Sequence, residues 1–192
     1  TPDAVLQSQT TEGENATRAY INSFDSDGFT TGNAAGASKG PSNNDGDTYV
    51  GWNWKAGGSG VSNTAGDINS TVSANTDAGF SIVSYTGNGN SSETIGHGLS
   101  KAPELIIQKA RSGTHHWPVY HKYAASDAET DYLWLDDTKA VTDYDNYWAD
   151  TAPTSTVFTV DNDGSVNGSG TACIAYCFHS VEGFSKMGSY TG

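Results

Sequence analysis

The sequence predicts an all-β chain of antiparallel β-sandwich or jelly-roll modules in tandem, and three observations carry that expectation. Short apolar or alternating runs, each bounded by Gly, Asn, Asp, Ser or Pro, recur along the chain, and no stretch shows helical periodicity. The segment Gly79-Phe80-Ser81-Ile82-Val83-Ser84-Tyr85-Thr86-Gly87 returns as Gly183-Phe184-Ser185-Lys186-Met187-Gly188-Ser189-Tyr190-Thr191-Gly192. A second echo aligns Tyr49-Val50-Gly51-Trp52-Asn53-Trp54-Lys55 with Cys173-Ile174-Ala175-Tyr176-Cys177-Phe178-His179, each after a Phe-Thr step at Phe29-Thr30 and Phe158-Thr159. The first echo spaces its copies by about 105 residues, too long for a solenoid unit and close to a whole small domain, so the repeating unit is a module.

Residues 1–57 read as the C-terminal part of one β-sandwich module, 58–78 as a Gly/Ser/Asn-rich linker, 79–182 as one complete module, and 183–192 as the first strand of a following one. In the first unit the expected strand is Tyr49–Lys55, where Val50, Trp52 and Trp54 alternate with Tyr49, Gly51 and Asn53. Part of a sandwich leaves an apolar face and open strand edges, so this unit is expected to be completed by preceding sequence or by another subunit. The linker is flexible by composition, although Thr71-Val72-Ser73 has the β-branched character to add an edge strand.

In the complete module the strands are expected at Phe80–Thr86, Glu93–Gly96, Glu104–Ala110, His116–His121, Tyr132–Asp136, Val157–Val160 and Ala172–His179, with Lys186–Thr191 opening the next module. Turn signals separate them, among them Gly87-Asn88-Gly89-Asn90 and Asp161-Asn162-Asp163-Gly164, whose residues tolerate positive φ. In Ala172–His179, Ile174, Tyr176 and Phe178 share one face and Cys173, Ala175 and Cys177 the other, as in a strand covered on both sides. Leu133 and Leu135 alternate with Tyr132 and Trp134, and one of those faces should be core.

Charge and apolar content narrow the functional classes. The chain of 192 residues has 9 Lys+Arg against 22 Asp+Glu, a net charge of -13. So acidic a chain gains nothing from counterion release on nucleic acid and is repelled by anionic lipid, which argues against both partners. The longest apolar run, about Cys173 to Phe178, falls far short of the roughly 20 residues of a membrane-spanning helix, and Thr1-Pro2-Asp3 has no signal-peptide character. Cys173 and Cys177 fall in one strand, too far apart to bond to each other, and are expected as free thiols of a reducing compartment. The Asn-X-Ser/Thr sequons at Asn15, Asn69, Asn90 and Asn167 are what a chain so rich in these residues produces by chance.

Four constellations invite chemistry. His115-His116-Trp117-Pro118-Val119-Tyr120-His121, with His97, suggests a transition-metal site, but histidines along a strand sit too far apart to chelate and no familiar zinc spacing accompanies them. Trp117 and Tyr120 are therefore expected to close one end of the core, with no metal and no cofactor. Asp161-Asn162-Asp163-Gly164 and Asp25-Ser26-Asp27-Gly28 open like calcium loops but lack the later bidentate Glu, and read as turns. No Gly-X-Ser-X-Gly elbow occurs, Gly168-Ser169-Gly170 reads as a hairpin turn, and Glu93, Glu104, Glu129 and Glu182 form no glycosidase-like pair. No catalytic residue is expected. The polar loop Asp143-Tyr144-Asp145-Asn146-Tyr147-Trp148 offers Tyr144, Tyr147 and Trp148 as candidate glycan contacts, against the competing expectation that such rings pack in the core.

An ordered set of segments also carries a resemblance. Gly79 to Gly89, His97-Gly98-Leu99, Ala102-Pro103, Leu105-Ile106-Ile107-Gln108-Lys109, Trp117-Pro118-Val119-Tyr120-His121, Pro153-Thr154-Ser155-Thr156-Val157-Phe158 and Tyr176-Cys177-Phe178 resemble a repeated module of virion structural, tail-fibre-like proteins of marine tailed phages. Phe24-Asp25-Ser26-Asp27-Gly28-Phe29 and Tyr49 to Gly58 resemble the end of the preceding module in such proteins. Asp136-Asp137 and Ala172-Cys173 depart from that pattern, which more often has Asn and Thr-Tyr there. The resemblance implies a non-enzymatic structural component of a virion, assembled in the host cytoplasm. Its expected partners are other copies of itself or other virion proteins, and host-surface glycan; it carries over no catalytic residue. The alternative from another class is a carbohydrate-binding module stacking sugars on exposed Tyr and Trp, and a third is a depolymerising tail-spike enzyme.

Overall fold

The computed structural model describes residues 4–16, 21–32 and 45–191; the remainder of the 1–57 unit, and Gly192, lie outside the described residues. In chain order come β1 (Ile21–Phe24), β2 (Phe29–Thr31), β3 (Val61–Asn63), β4 (Ser70–Asn75), β5 (Phe80–Thr86), β6 (Glu93–Gly96), β7 (Leu105–Ala110), β8 (Pro118–His121), β9 (Asp131–Trp134), β10 (Thr142–Asp143), β11 (Val157–Val160), a single helical turn α1 (Gly164–Asn167) and β12 (Ala172–Phe178). Eight strands form one antiparallel sheet in the order β10-β9-β8-β7-β12-β5-β4-β3, while β6 with β11 and β1 with β2 form two-stranded sheets. The protein is all-β and sandwich-like.

Register explains the core. β12 runs between β5 and β7, with Cys173 opposite Tyr85 and Ala110, Ala175 opposite Val83 and Gln108, and Cys177 opposite Ser81 and Ile106. These residues point to one face of the sheet, and Tyr120 opposite Ile106 and Val72 opposite Val83 extend it sideways. Above that face sit Ile95 and Phe158, themselves register partners, with Val160, Val166 of α1 and the Tyr147-Trp148 loop. The Tyr85 and Phe158 rings meet edge-on at 6.4 Å, so the central strand beneath them has room only for Cys and Ala. The small face of β12 is therefore the core, and its large face, Ile174, Tyr176 and Phe178, is only half-buried.

Residues 10–14 cover the β7–β8 part of the sheet's opposite face. The Trp117 indole donates to Thr10 O (3.1 Å), Lys109 Nζ donates to Thr11 O (2.9 Å) and His115 O, and Arg111 holds Glu14 through two hydrogen bonds of 2.6 and 3.0 Å. Lys109 is fully buried, its ammonium 5.8 Å from the centre of the Trp117 ring. Burial lowers its pKa, with Asp136 acting in the opposite sense. Trp117 thus belongs to this outer layer and not to the main core, which contains Tyr120. Replacing Lys109 by Met keeps the stem and removes the donor, leaving two carbonyls without it. The expected loss is about 1–3 kcal/mol in urea unfolding, with faster proteolysis in residues 4–16.

Several expected elements differ from what forms. The stretch 58–78 is no open linker, because β3 and β4 lie within it and β4 is an interior strand between β3 and β5. Its polar outer residues disguised it: Thr71, Ser73 and Asn75 face away from Val72 and Ala74. Tyr49–Lys55 and Lys186–Thr191 lie outside every strand. Strand His116–His121 shortens to Pro118–His121 and Tyr132–Asp136 shifts to Asp131–Trp134; there the Asp136 carboxylate instead accepts from the Trp117 amide at 3.0 Å. The expected turn after Asp161 contains α1, capped by Asp163, whose carboxylate accepts from the Ser165 amide at 2.7 Å.

Candidate functional site

The polar loop between β10 and β11 turns its rings inward. Trp148 is 2 % exposed and its indole donates to Asp131 O at 3.0 Å, while Tyr147 is 5 % exposed and packs against Tyr132 at 4.9 Å between ring centres. A turn closed by the Ala149 amide on Asp145 O (3.0 Å), followed by left-handed Ala149 and Asp150, swings both rings under the sheet. Burial pushes the Tyr147 phenol up to about 12. Tyr144 stays at the surface, and its hydroxyl donates to Asp163 at 3.2 Å. The three candidate glycan contacts are therefore neighbours, but two of them are core and no flat stacking platform exists there.

The histidine-rich stretch is likewise engaged. The His116 ring stacks on Trp134 (3.8 Å between centres, 8° between planes), with Nδ1 3.1 Å from Asp136. His121 Nδ1 accepts from the Tyr123 amide, and His97 Nδ1 accepts from the Leu99 amide at 3.1 Å. That leaves Nε2 of His97 as the protonated nitrogen, donating to Thr154 O at 3.2 Å, and burial lowers its pKa so that the ring stays neutral. Among the described residues no group of three or more His, Cys, Asp or Glu side chains is placed to hold a metal ion. The acidic turns have structural partners: Asp163 caps α1, and Asp25 accepts from Thr30 Oγ1 at 2.9 Å across the β1–β2 turn.

Sequence reasoning singled out no cavity, and among those the structure shows is one where aromatic rings gather. An open cavity of about 660 Å³ is lined by Asn53, Trp54, Phe80, Phe178, Phe184 and Met187 among others. Phe80 and Phe178 stack at 4.8 Å, and Trp54 meets Phe178 edge-on at 6.2 Å. Two strands of the main sheet supply Phe80 and Phe178; the two segments that failed to become strands supply Trp54 and Phe184. The first is tied down where Lys55 O accepts from Asn75 Nδ2 (3.0 Å) and Gly58 O accepts from Ser73 Oγ (2.6 Å). Gly57 makes that crossing possible, because a Cβ there would run into Ala74 O. The second leaves the sheet through a tight turn in which the Ser185 amide donates to Val181 O at 2.9 Å, with Gly183 at φ 75°.

Both segments expose large apolar side chains. Trp52 is 76 %, Val50 79 %, Phe184 72 % and Tyr190 95 % exposed, and Phe24 of the β1–β2 hairpin adds to the same class of surface. Single exposed apolar residues are ordinary, but this density in two short segments marks an interaction surface. The signal was legible as the double echo itself, since the exposed residues are those that repeat β12 and β5.

Fold and surface together define a sandwich-like β domain that carries two exposed aromatic segments outside its sheets, both reaching a shared cavity. The chain belongs to the DUF7483 family, a domain of unknown function, with the match running over residues 1–192. No curated protein and no solved structure matches it.

Proposed function

We propose that the protein is a non-enzymatic virion structural or fibre component, built of repeated β-sandwich modules that assemble with neighbouring subunits and meet the host surface through their loops. One observation supports this most: the aromatic segments Val50–Trp54 and Phe184–Tyr190 expose residues whose sequence counterparts are packed in the sheet. A module that displays copies of its own strands is suited to joining other modules. The acidic charge of -13 adds to solubility before assembly. The carbohydrate-binding alternative loses its stated platform, because Tyr147 and Trp148 lie in the core.

Immunogold labelling tests the proposal, using antibody against residues 45–191 on particles purified from the source of the sequence. Label on tails or fibres is the expected result. Unlabelled particles, with the chain recovered only in the cell extract, would overturn it.

A further inference from the structure

Tyr49–Lys55 aligns with Cys173–His179, which covers all but the first residue of β12, and Ser189-Tyr190-Thr191 aligns with Ser84-Tyr85-Thr86 of β5. In the folded module β12 and β5 are adjacent antiparallel partners over seven residue pairs. The two segments left outside every strand are thus complementary to each other by the module's own pairing. We propose that the C-terminal segment Lys186–Thr191 of one copy pairs as a strand with Val50–Lys55 of a second copy, rebuilding part of the β5–β12 ladder between subunits. This rests on the assembly reading above and gives it residues and a register.

The register follows from the native ladder, where Ile174 stands opposite Ser84 and Tyr176 opposite Ile82. Carried over by the echo, Val50 stands opposite Ser189, and Trp52 comes near Lys186 and Met187. The His179 amide donates to Gly79 O at 2.9 Å, which marks a hydrogen-bonded pair at that end. Counting alternately along the strand makes Ile174 and Ser84 a non-hydrogen-bonded pair, the type whose Cα atoms approach to about 4.5 Å. The Val50–Ser189 pair inherits that closeness.

The echo points to a second copy as occupant, because each copy carries both halves of the pairing and no ladder joins them. Tyr49, Trp52, Trp54, Phe184 and Tyr190 are 51, 76, 58, 72 and 95 % exposed. At 150–250 Å² per aromatic side chain each segment presents about 350 Å² of apolar surface, under half of the roughly 800 Å² per partner of a stable interface, so the contact depends on backbone pairing as well. Within one copy both segments already reach the shared cavity through Trp54 and Phe184, yet no ladder joins them. Donor and acceptor differ, so the contact is heterologous and propagates head to tail or closes a ring.

The test uses the 192-residue chain with Val50→Cys in one preparation and Ser189→Cys in another, mixed under mild oxidation. Native Cys173 and Cys177 are fully buried and stay out of the reaction. The expected product is a reducible dimer joining the two different variants, in excess of either variant alone and of an out-of-register Val50→Cys with Thr191→Cys mixture. The chain carrying both substitutions should give a ladder of higher species. Light scattering on the unsubstituted chain should show a mass at least double the monomer at micromolar concentration, lost in Trp52→Ser/Tyr190→Ser.

A faster-migrating monomer from the double variant would mean the segments pair within one copy and would overturn the proposal. So would a chain that stays monomeric, or one in which glycan binding on an array, lost in Trp52→Ser, replaces self-association. A monomer that still labels fibres sinks only the strand exchange; cross-linking in register by a chain absent from particles sinks only the virion reading.

Discussion

Trp148→Ala is expected to destabilise the protein by about 3–5 kcal/mol, lowering its melting temperature by on the order of 10 °C. The ring is 2 % exposed, crosses Tyr120 edge-on at 6.1 Å and Tyr147 at 6.0 Å, and donates its indole N–H to Asp131 O. Truncation removes all of these contacts at once and leaves the Asp131 carbonyl without this donor. The loop cannot collapse to fill the space, because the left-handed Ala149 and Asp150 and the Asp161 amide bond to Tyr147 O (3.0 Å) fix its path. Trp148→Phe restores most of the volume and none of the hydrogen bond, so it should recover more than half of the loss. Urea unfolding followed by near-ultraviolet circular dichroism measures both. Unchanged stability in Trp148→Ala would mean the ring is a surface residue after all and would reopen the glycan platform.

That tryptophan shows where sequence and structure part. The loop Asp143–Trp148 is polar at every second or third position, and nothing in such a pattern says which ring turns inward; the αL residues that turn it are an Ala and an Asp, not Gly. Strands bounded by strong turn residues were legible: Phe80–Thr86 between Gly79 and Gly87, Glu93–Gly96 between Ser91-Ser92 and His97-Gly98, and Val157–Val160 between Ser155-Thr156 and Asp161-Asn162 form as read. β4 was half-hidden because its outward positions are Ser, Thr and Asn, so an interior strand looks like linker. Tyr49–Lys55 and Lys186–Thr191 carry strand-like residues and form no strand. A ladder also needs a partner edge, and one chain's sequence cannot show whether that edge is in the same copy.

Alkali is expected to unfold the protein cooperatively between about pH 9 and 12. Burial pushes the Cys173 thiol up to about 11, the Cys177 thiol to about 12 and the Tyr120 phenol to about 12, with Tyr147 similar; it also raises Tyr85 well above its ordinary value, with Cys173 beside it adding to the effect. Each of these groups is neutral when protonated, and its folded pKa lies above its unfolded one. The stability it contributes is therefore complete below the unfolded pKa, about 8.5 for Cys and 10 for Tyr, and is lost as pH rises toward the folded value. Lys109 runs the other way: burial lowers its folded pKa, so the unfolded chain holds the proton longer and this one group gains stability as pH climbs to about 10.4. Five groups against one give a net loss, at about 1.4 kcal/mol per group for each pH unit between its two pKa values. By pH 11 the two thiols amount to about 3 kcal/mol each and the three phenols to about 1.4 kcal/mol each, on the order of 10 kcal/mol before the Lys109 offset and comparable with the whole stability of an ordinary domain. Tyrosinate absorbance should accordingly rise in two stages, exposed phenols first and the buried ones together with loss of the near-ultraviolet signal. Smooth titration of every phenol near pH 10 with that signal intact would show that Tyr85, Tyr120 and Tyr147 are reached by solvent, and the packed layer above β12 would then be wrong.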